Sequence, residues 1–474
     1  MIPSFGACLD AVARAAPRHV ALVHAGQRMS RRELDRWAGG VARRLLAEGL
    51  RPGDRIALAL PNGAAFAAAL LGAFKVGLTV APLNPQLTHE ERDRILGDFR
   101  PAIVLDAVPH TEADVDAVPE GEGPALVLYT SGSTGRPKGA MLSHAALAAG
   151  TTAWRGPIMG LRTDDRVLAV LPLSHSYGIN GALLAPLLAG ATVVLMERFT
   201  PDSVLAAVRE QGVTVFPGVA TMFQRLLDMP AWHRDDVRSL RIALSGAAPC
   251  PWPLAEAWRA RTGVRILRGY GMTELFRPIS YLANDPRDYP DAIGRPVPGV
   301  DIRVVDDDGR EVPLGDVGEL LIRSDAAMDG YLAQPDETAA TLSADGWFKT
   351  GDLASVSAEG FVSIAGRKKE LILRGGYSVS PPEVESALCA HPAVAEAAVV
   401  GVTHPDLGED VAAFVALRGG MRVSADDLAG WCKTRLAGYK CPRLITILSE
   451  LPKGPTGKVL KARLRERLAE PRAR

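Results

Sequence analysis

Tyr129-Thr-Ser-Gly-Ser-Thr-Gly-Arg-Pro-Lys-Gly-Ala140 decides how this 474-residue chain is read. An apolar run at 125–128 leads into it, and a helical pattern opens at Ser143 behind it. Between them stand four Ser/Thr hydroxyls, three glycines and one lysine. Glycines let backbone N–H groups close around phosphate oxygens, hydroxyls add donors, and Lys138 adds a compact positive charge. The order differs from a Walker A loop, because Pro137 precedes the lysine and Gly139 follows it. A solvent-exposed polar turn is the plain alternative, but such turns rarely follow a buried strand with so many donors.

Outward from that loop, the first half of the chain alternates strand and helix signals. Ser30 with Glu33 and Thr88 with Glu91 form capping boxes, and Leu34, Trp37, Ala38, Val41 and Leu45 recur at helical spacing. Apolar runs at 55–60, 79–81, 167–171 and 192–195 have the length of buried strands. This alternation predicts a large N-terminal domain of α/β layers around a largely parallel sheet. Beyond Gly294, short strands at 300–305, 319–322 and 361–364 predict a small β-rich subdomain, with turns at Asp308-Gly309 and Glu359-Gly360. Ser380-Pro-Pro-Glu383 predicts a capped helix, and the segments at 394–400 and 411–417 complete a small α+β C-terminal domain. The expected division is 1–368 and 369–474.

Composition narrows the function classes. The 54 basic and 54 acidic residues cancel, so the basic field needed for a nonspecific grip on nucleic acid is absent. Cys8, Cys250, Cys389, Cys432 and Cys441 lie at no metal-ligand or C-x-x-C spacing. The most apolar segment, 63–74, falls short of the roughly 20 residues a membrane span needs. The expectation is a cytoplasmic protein, monomer or homodimer, with no nucleic-acid partner and no membrane span.

Residues 130–139 resemble the phosphate-binding loop of the adenylate-forming (ANL) superfamily, which includes acyl- and aryl-CoA synthetases, peptide-synthetase adenylation domains and luciferases. The resemblance continues, in order, through Leu58-Ala-Leu-Pro-Asn-Gly63, Pro82-Leu-Asn-Pro85, Leu171-Pro-Leu-Ser-His175 and Ser245-Gly-Ala-Ala-Pro249. It extends to Gly269-Tyr-Gly-Met-Thr-Glu274, Gly346-Trp-Phe-Lys-Thr-Gly-Asp352, Gly366-Arg367 and Pro452-Lys-Gly-Pro-Thr-Gly-Lys458. It implies an adenylation domain that binds ATP and an acid, and a mobile C-terminal domain that carries the catalytic lysine.

The resemblance also implies site roles. Thr130, Ser131, Gly132, Ser133, Thr134, Gly135 and Lys138 would hold the ATP phosphates. Gly246, Ala247, Ala248, Tyr270 and Gly271 would hold adenine, the tyrosine offering an aromatic face between glycines. Thr273 would touch the α-phosphate and Glu274 would bind Mg²⁺; a helix-start carboxylate is the alternative for Glu274. A hairpin turning at Glu359-Gly360 would bring Asp352 and Arg367 together, either for the ribose hydroxyls or as a surface ion pair.

Only ten lysines stand against 44 arginines, so Lys458 is a departure from this composition: a mobile point charge rather than a planar fork. It would orient the carboxylate and stabilise adenylation; a solvated tail lysine is the alternative, and the one preferred for Lys461. Lys369 would be the pivot of the small domain, or an ordinary linker charge. Gly375 and Gly376 would line the thiol tunnel.

The acid would lie against His175, Tyr177, Ile179, Gly246, Gly269, Met272 and Phe276, a mostly apolar wall suited to a fatty or aromatic acid. From its chemistry alone His175 is as readily a core histidine. Relatives that use malonate place arginine immediately before the motif tyrosine, where this chain has Gly269, which argues against a short dicarboxylate. Arg277 either faces solvent or selects a polar tail. The implied reaction joins the acid to AMP and passes the acyl group to CoA, with the small domain rotating about Lys369. The alternatives are transfer to phosphopantetheine on an acyl carrier protein or to an amine, and a catalytically silent binding protein.

Overall fold

The computed structural model describes residues 4–118, 123–131, 137–454 and 459–469. Gly132, Ser133, Thr134, Gly135 and Lys458 lie outside the described residues. The chain forms two compact units: Met1–Asp301 with Ile322–Phe348, and Ile302–Leu321 with Lys349–Arg474. The β-rich segments on either side of 322–348 thus cluster with the C-terminal unit, and the sequence-based division at 368/369 falls inside it.

The first unit is built on two large sheets. One runs Ile266–Leu267, Ile242–Ser245, Val215–Gly218, Arg166–Ala169, Thr192–Leu195, Val20–His24, Gln27–Ser30. All its pairings are parallel except the terminal hairpin of Val20–His24 with Gln27–Ser30. Its strands Thr192–Leu195, Val215–Gly218 and Ile242–Ser245 are buried on both faces, which is why they read as short runs without polar alternation. On one face Phe216, Phe223, Trp232 and Trp258 form an aromatic core, with Phe223 and Trp258 ring centroids 5.0 Å apart. The capping boxes predicted at Ser30 and Thr88 are present, opening helices Arg31–Ala47 and His89–Phe99.

The second sheet runs Gly330–Tyr331, Pro137–Ser143, Pro124–Ser131, Thr79–Pro82, Arg55–Leu58, Ile103–Leu105. Here the structure differs from the sequence reading. Between the glycine-rich loop and the helix His144–Ala153 lies a strand, Pro137–Ser143, antiparallel to Pro124–Ser131 with Thr130 opposite Lys138. Lys138 is therefore fixed by a sheet register. Proline, lysine and glycine at the start of the second strand conceal it, since all three are poor strand formers.

In the second unit, the strands Val300–Val305, Gly318–Ser324, Phe348–Val356 and Val362–Arg367 form a four-stranded sheet, most of whose residues belong to this unit. A further sheet holds Tyr377–Val379, Ile372–Arg374, Gly408–Leu417, Val394–His404 and Leu444–Leu448. Its core joins Val384 and Leu388 of helix Pro381–Cys389 to Val399, Val415 and Leu428. Ser380 does not cap that helix with its side chain. Its hydroxyl donates instead to the Ala365 carbonyl, so it ties the helix start to the strand Val362–Arg367.

Candidate active site

Parallel strands place the loops at their carboxyl ends along one edge of a sheet, where α/β proteins commonly bind ligands. Arg166–Ala169, Val215–Gly218, Ile242–Ser245 and Ile266–Leu267 all run the same way. The segments that follow three of them, carrying His175 and Tyr177, Gly246–Ala248, and Gly269–Glu274, therefore leave from a common edge. Ala247 adopts a left-handed backbone with φ +64°, a conformation that costs a non-glycine residue about 1 kcal/mol and concentrates at functional turns.

Gly269–Met272 and Phe276–Ser280 form an antiparallel hairpin, with Met272 opposite Phe276. A three-residue turn presents Thr273 and Glu274, and Phe276 closes it with φ +55°. Gly271 is required there: a Cβ on it would lie 2.1 Å from the Phe276 carbonyl oxygen. Thr273 is buried and Glu274 half-buried. The Glu274 carbonyl accepts from the Met328 N–H at 2.8 Å.

Lys138 and Glu274 meet through one tyrosine. Gly330–Tyr331 pairs with Pro137–Ser143, Tyr331 opposite Ala140, so Lys138 is a same-face diagonal neighbour of Tyr331. The Lys138 ammonium lies 5.2 Å from the Tyr331 ring centroid. The Tyr331 hydroxyl donates to Glu274 Oε1 at 2.8 Å. Burial, reinforced by the Glu274 charge, pushes the Tyr331 phenol up, so it remains the donor. Lys138 also forms a 2.5 Å ion pair with Glu337, whose side chain is 45% exposed. A phosphate would compete with that carboxylate for the same cation.

Among the acid-wall residues, Tyr177 is buried, and its hydroxyl donates to the Leu244 carbonyl at 3.1 Å. Gly246 makes room for it, since a Cβ there would lie 2.8 Å from the Tyr177 ring. Trp154, absent from the sequence reading, lies with its ring centroid 5.3 Å from that of Tyr177. Ile179 is fully buried, and Met272 is half-buried. The Phe276 ring packs over Gly150 of the neighbouring helix.

His175 Nδ1 accepts from the Tyr177 N–H at 3.3 Å, which leaves the ring proton on Nε2. Burial pushes the His175 imidazole down to about 4, so at neutral pH it is an uncharged Nε2–H donor. Arg277 does not face solvent. It is 5% exposed and spans the Gly269 backbone, where a Cβ would lie 2.4 Å from its Nη2.

In the second unit, Asp352 and Arg367 are register partners on antiparallel strands, as the hairpin reading expected. Arg367 Nε donates to Asp352 Oδ1 at 2.8 Å, with Asp352 buried and Arg367 exposed. Lys369 is exposed on a short 3₁₀ turn, Lys368–Glu370. Gly375 and Gly376 have φ +57° and +85° between Ile372–Arg374 and Tyr377–Val379, the two positive φ values of a type I′ hairpin turn. Lys461 is no free tail lysine, since it pairs with Glu370 at 3.2 Å and Glu385 at 2.8 Å.

Besides Trp154, the side chains of Tyr331 and Glu337 escaped the sequence reading. Glu337 meets Lys138 across 199 residues of chain, and no local pattern announces such a contact. For Tyr331 a signal existed: a glycine–tyrosine pair in a segment short of other strand features.

A family model described as "AMP-binding enzyme" matches residues 9–123 and 106–332, and one described as "AMP-binding enzyme C-terminal domain" matches 383–458. The chain is 37% identical over 485 residues to a feruloyl-CoA synthase of Amycolatopsis sp, covering 96% of this chain and 97% of that one. ATP-bound MatB from Rhodopseudomonas palustris superposes with a TM-score of 0.91 at 32% identity, covering 98% of each chain. A benzoate CoA ligase from Burkholderia xenovorans LB400 gives 0.90 at 31% identity, covering 98% of this chain and 100% of that one. With the family's motifs carried on this fold, the chain belongs to the AMP-binding enzymes, the adenylate-forming superfamily, and is an enzyme of the acyl-CoA synthetase type.

Proposed function

We propose that this enzyme activates a fatty or aromatic carboxylic acid with ATP and transfers the acyl group to CoA. A carboxylate oxygen attacks the α-phosphorus in line; a P–O bond forms, the bond to pyrophosphate breaks, and acyl-AMP results. A thiolate then attacks the acyl carbon and AMP leaves. Neither step calls for a protein nucleophile, so the protein's task is positioning and charge neutralisation.

The observation that carries this reading is the Lys138–Tyr331–Glu274 linkage, which sets an ammonium and a carboxylate around one aromatic ring, the pair that would meet phosphate and a hard metal. Glu274 fits Mg²⁺: one carboxylate from the protein, with phosphate oxygens for the remainder, is that ion's usual arrangement. Bound there, the ion would neutralise phosphate charge. Thr130, Ser131 and Lys138 would hold phosphate oxygens, Tyr270 with Gly246–Ala248 the adenine, and Asp352 with Arg367 the ribose. Neutral His175, with Tyr177, would border the acid.

Lys458 would follow charge from carboxylate to phosphate in the first step. Rotation about Lys369 would then replace it with the tunnel lined by Gly375 and Gly376. The CoA-ligase relatives favour CoA as acceptor over a carrier protein. Acid-dependent ATP–pyrophosphate exchange over a broad acid panel tests the first half-reaction. Thioester formation with CoA, a holo carrier protein or an amine tests the second. No exchange with any acid would overturn the reading, and thioester on the carrier alone would overturn the acceptor.

A further inference from the structure

Arg277 is a buried cation with no counter-ion among the described residues. Its Nε donates to Ser280 Oγ at 2.9 Å, Nη1 to the Ser245 carbonyl at 3.0 Å and Nη2 to the Leu267 carbonyl at 2.9 Å. Its Cζ lies 5.3 Å from the Trp154 ring centroid. Among the described residues the ionisable groups that face it are the Tyr177 hydroxyl and the Cys250 thiol. Burial pushes both of these up, so neither is an anion at neutral pH. A guanidinium does not shed its proton, and a buried charge met only by neutral acceptors is costly to the fold.

The surroundings are short of acceptors in the same way. Asn180 is fully buried, and its carboxamide lies 2.8 Å from Thr151 Oγ1, whose own proton goes to the Leu147 carbonyl at 2.6 Å. Trp154 Nε1 is buried and has no partner among the described residues. Trp154 stacks beside Tyr177, and Gly181, next to Asn180, abuts the Trp154 ring. Asn180 and Tyr177 share the π-helical segment Tyr177–Leu184, an uncommon geometry that recurs at functional sites. Gly246 and Gly269 give the guanidinium its space. The cluster is thus one cation and one unsatisfied N–H donor beside aromatic rings. Its chemical complement is an acceptor-only group on an apolar body.

We propose that the acid activated here carries a second anionic oxygen group, a carboxylate or sulfonate, and that Arg277 selects it. This rests on the acid-activating function proposed above and names its substrate class. Charge-assisted hydrogen bonds to a site built for them discriminate strongly against analogues that lack the group.

The test is ATP–pyrophosphate exchange with matched acids: 3-phenylpropanoate against its para-carboxy and para-sulfo derivatives, and hexanoate against adipate. The wild-type enzyme is expected to favour one or both dianions by about tenfold or more in kcat/KM, the carboxylate and sulfonate arms showing which group fits. Arg277→Gln is expected to bring that ratio to near unity, and Arg277→Lys to restore part of it. A wild-type preference for the monoanions overturns the proposal even if the variants fail to fold, as does an unchanged ratio in Arg277→Gln. Exchange with monoanions alone removes the role of Arg277 and leaves acid activation standing; no exchange with any acid removes both.

Discussion

Replacing Tyr331 by Phe removes one hydroxyl and keeps the ring. The 2.8 Å hydrogen bond to Glu274 is lost, while the Lys138 ammonium retains an aromatic face 5.2 Å away. A hydrogen bond to a charged group contributes about 1.5–3 kcal/mol. Loss of a group that orients a metal-binding carboxylate typically weakens metal affinity or activity by about 10- to 100-fold. Tyr331→Phe should therefore raise the Mg²⁺ concentration for half-maximal ATP–pyrophosphate exchange by about tenfold or more. The same loss of a hydrogen bond lowers folding stability by up to about 1.5–3 kcal/mol, a fall of only a few degrees in Tm because the aromatic packing remains. Exchange rates and Mg²⁺ dependence equal to wild type would show that the hydroxyl does not position Glu274, and the site argument built on it would fail.

Three further outcomes are expected. Glu337→Gln frees Lys138 from a half-exposed partner, so KM for ATP should fall by up to about fivefold with under about 1 kcal/mol change in stability; a rise in KM would contradict the competition. His175 has a folded pKa of about 4 against 6.5 in the unfolded chain, so its contribution, about 3 kcal/mol, is present above pH 6.5 and lost as pH falls through 4. Urea unfolding of His175→Gln should show a correspondingly flatter pH dependence in that window, and an unchanged slope would refute it. Lys458→Ala should lose about 100-fold or more in acyl-AMP formation yet still form thioester from supplied acyl-AMP; equal loss in both half-reactions would refute the division of labour.

How far the sequence carried depended on whether each interaction was local. Asp352 opposite Arg367 followed from two alternating segments and one Asp/Glu–Gly turn, because antiparallel register is set by turn and pleat. The capping boxes at Ser30 and Thr88 were equally legible, each being complete within four residues. Ser380 failed the same rule, since a carbonyl on the adjacent strand captured its hydroxyl. The strand 137–143 was missed because its stability comes from pairing on both sides, with Pro124–Ser131 and Gly330–Tyr331, rather than from propensity. Burial of Arg277 left no trace either: a charged residue flanked by Phe276 and Pro278 fits a surface or a core equally well until Gly246 and Gly269 are seen making room for it.

The central claim, that an acid becomes electrophilic by joining AMP, is tested most directly by following oxygen. The acid is supplied with ¹⁸O in both carboxylate oxygens, together with ATP, Mg²⁺ and CoA, and the AMP released is analysed by mass. Attack of the carboxylate on the α-phosphorus predicts one ¹⁸O in each AMP and none in pyrophosphate. Label in orthophosphate, or AMP without label, would contradict it.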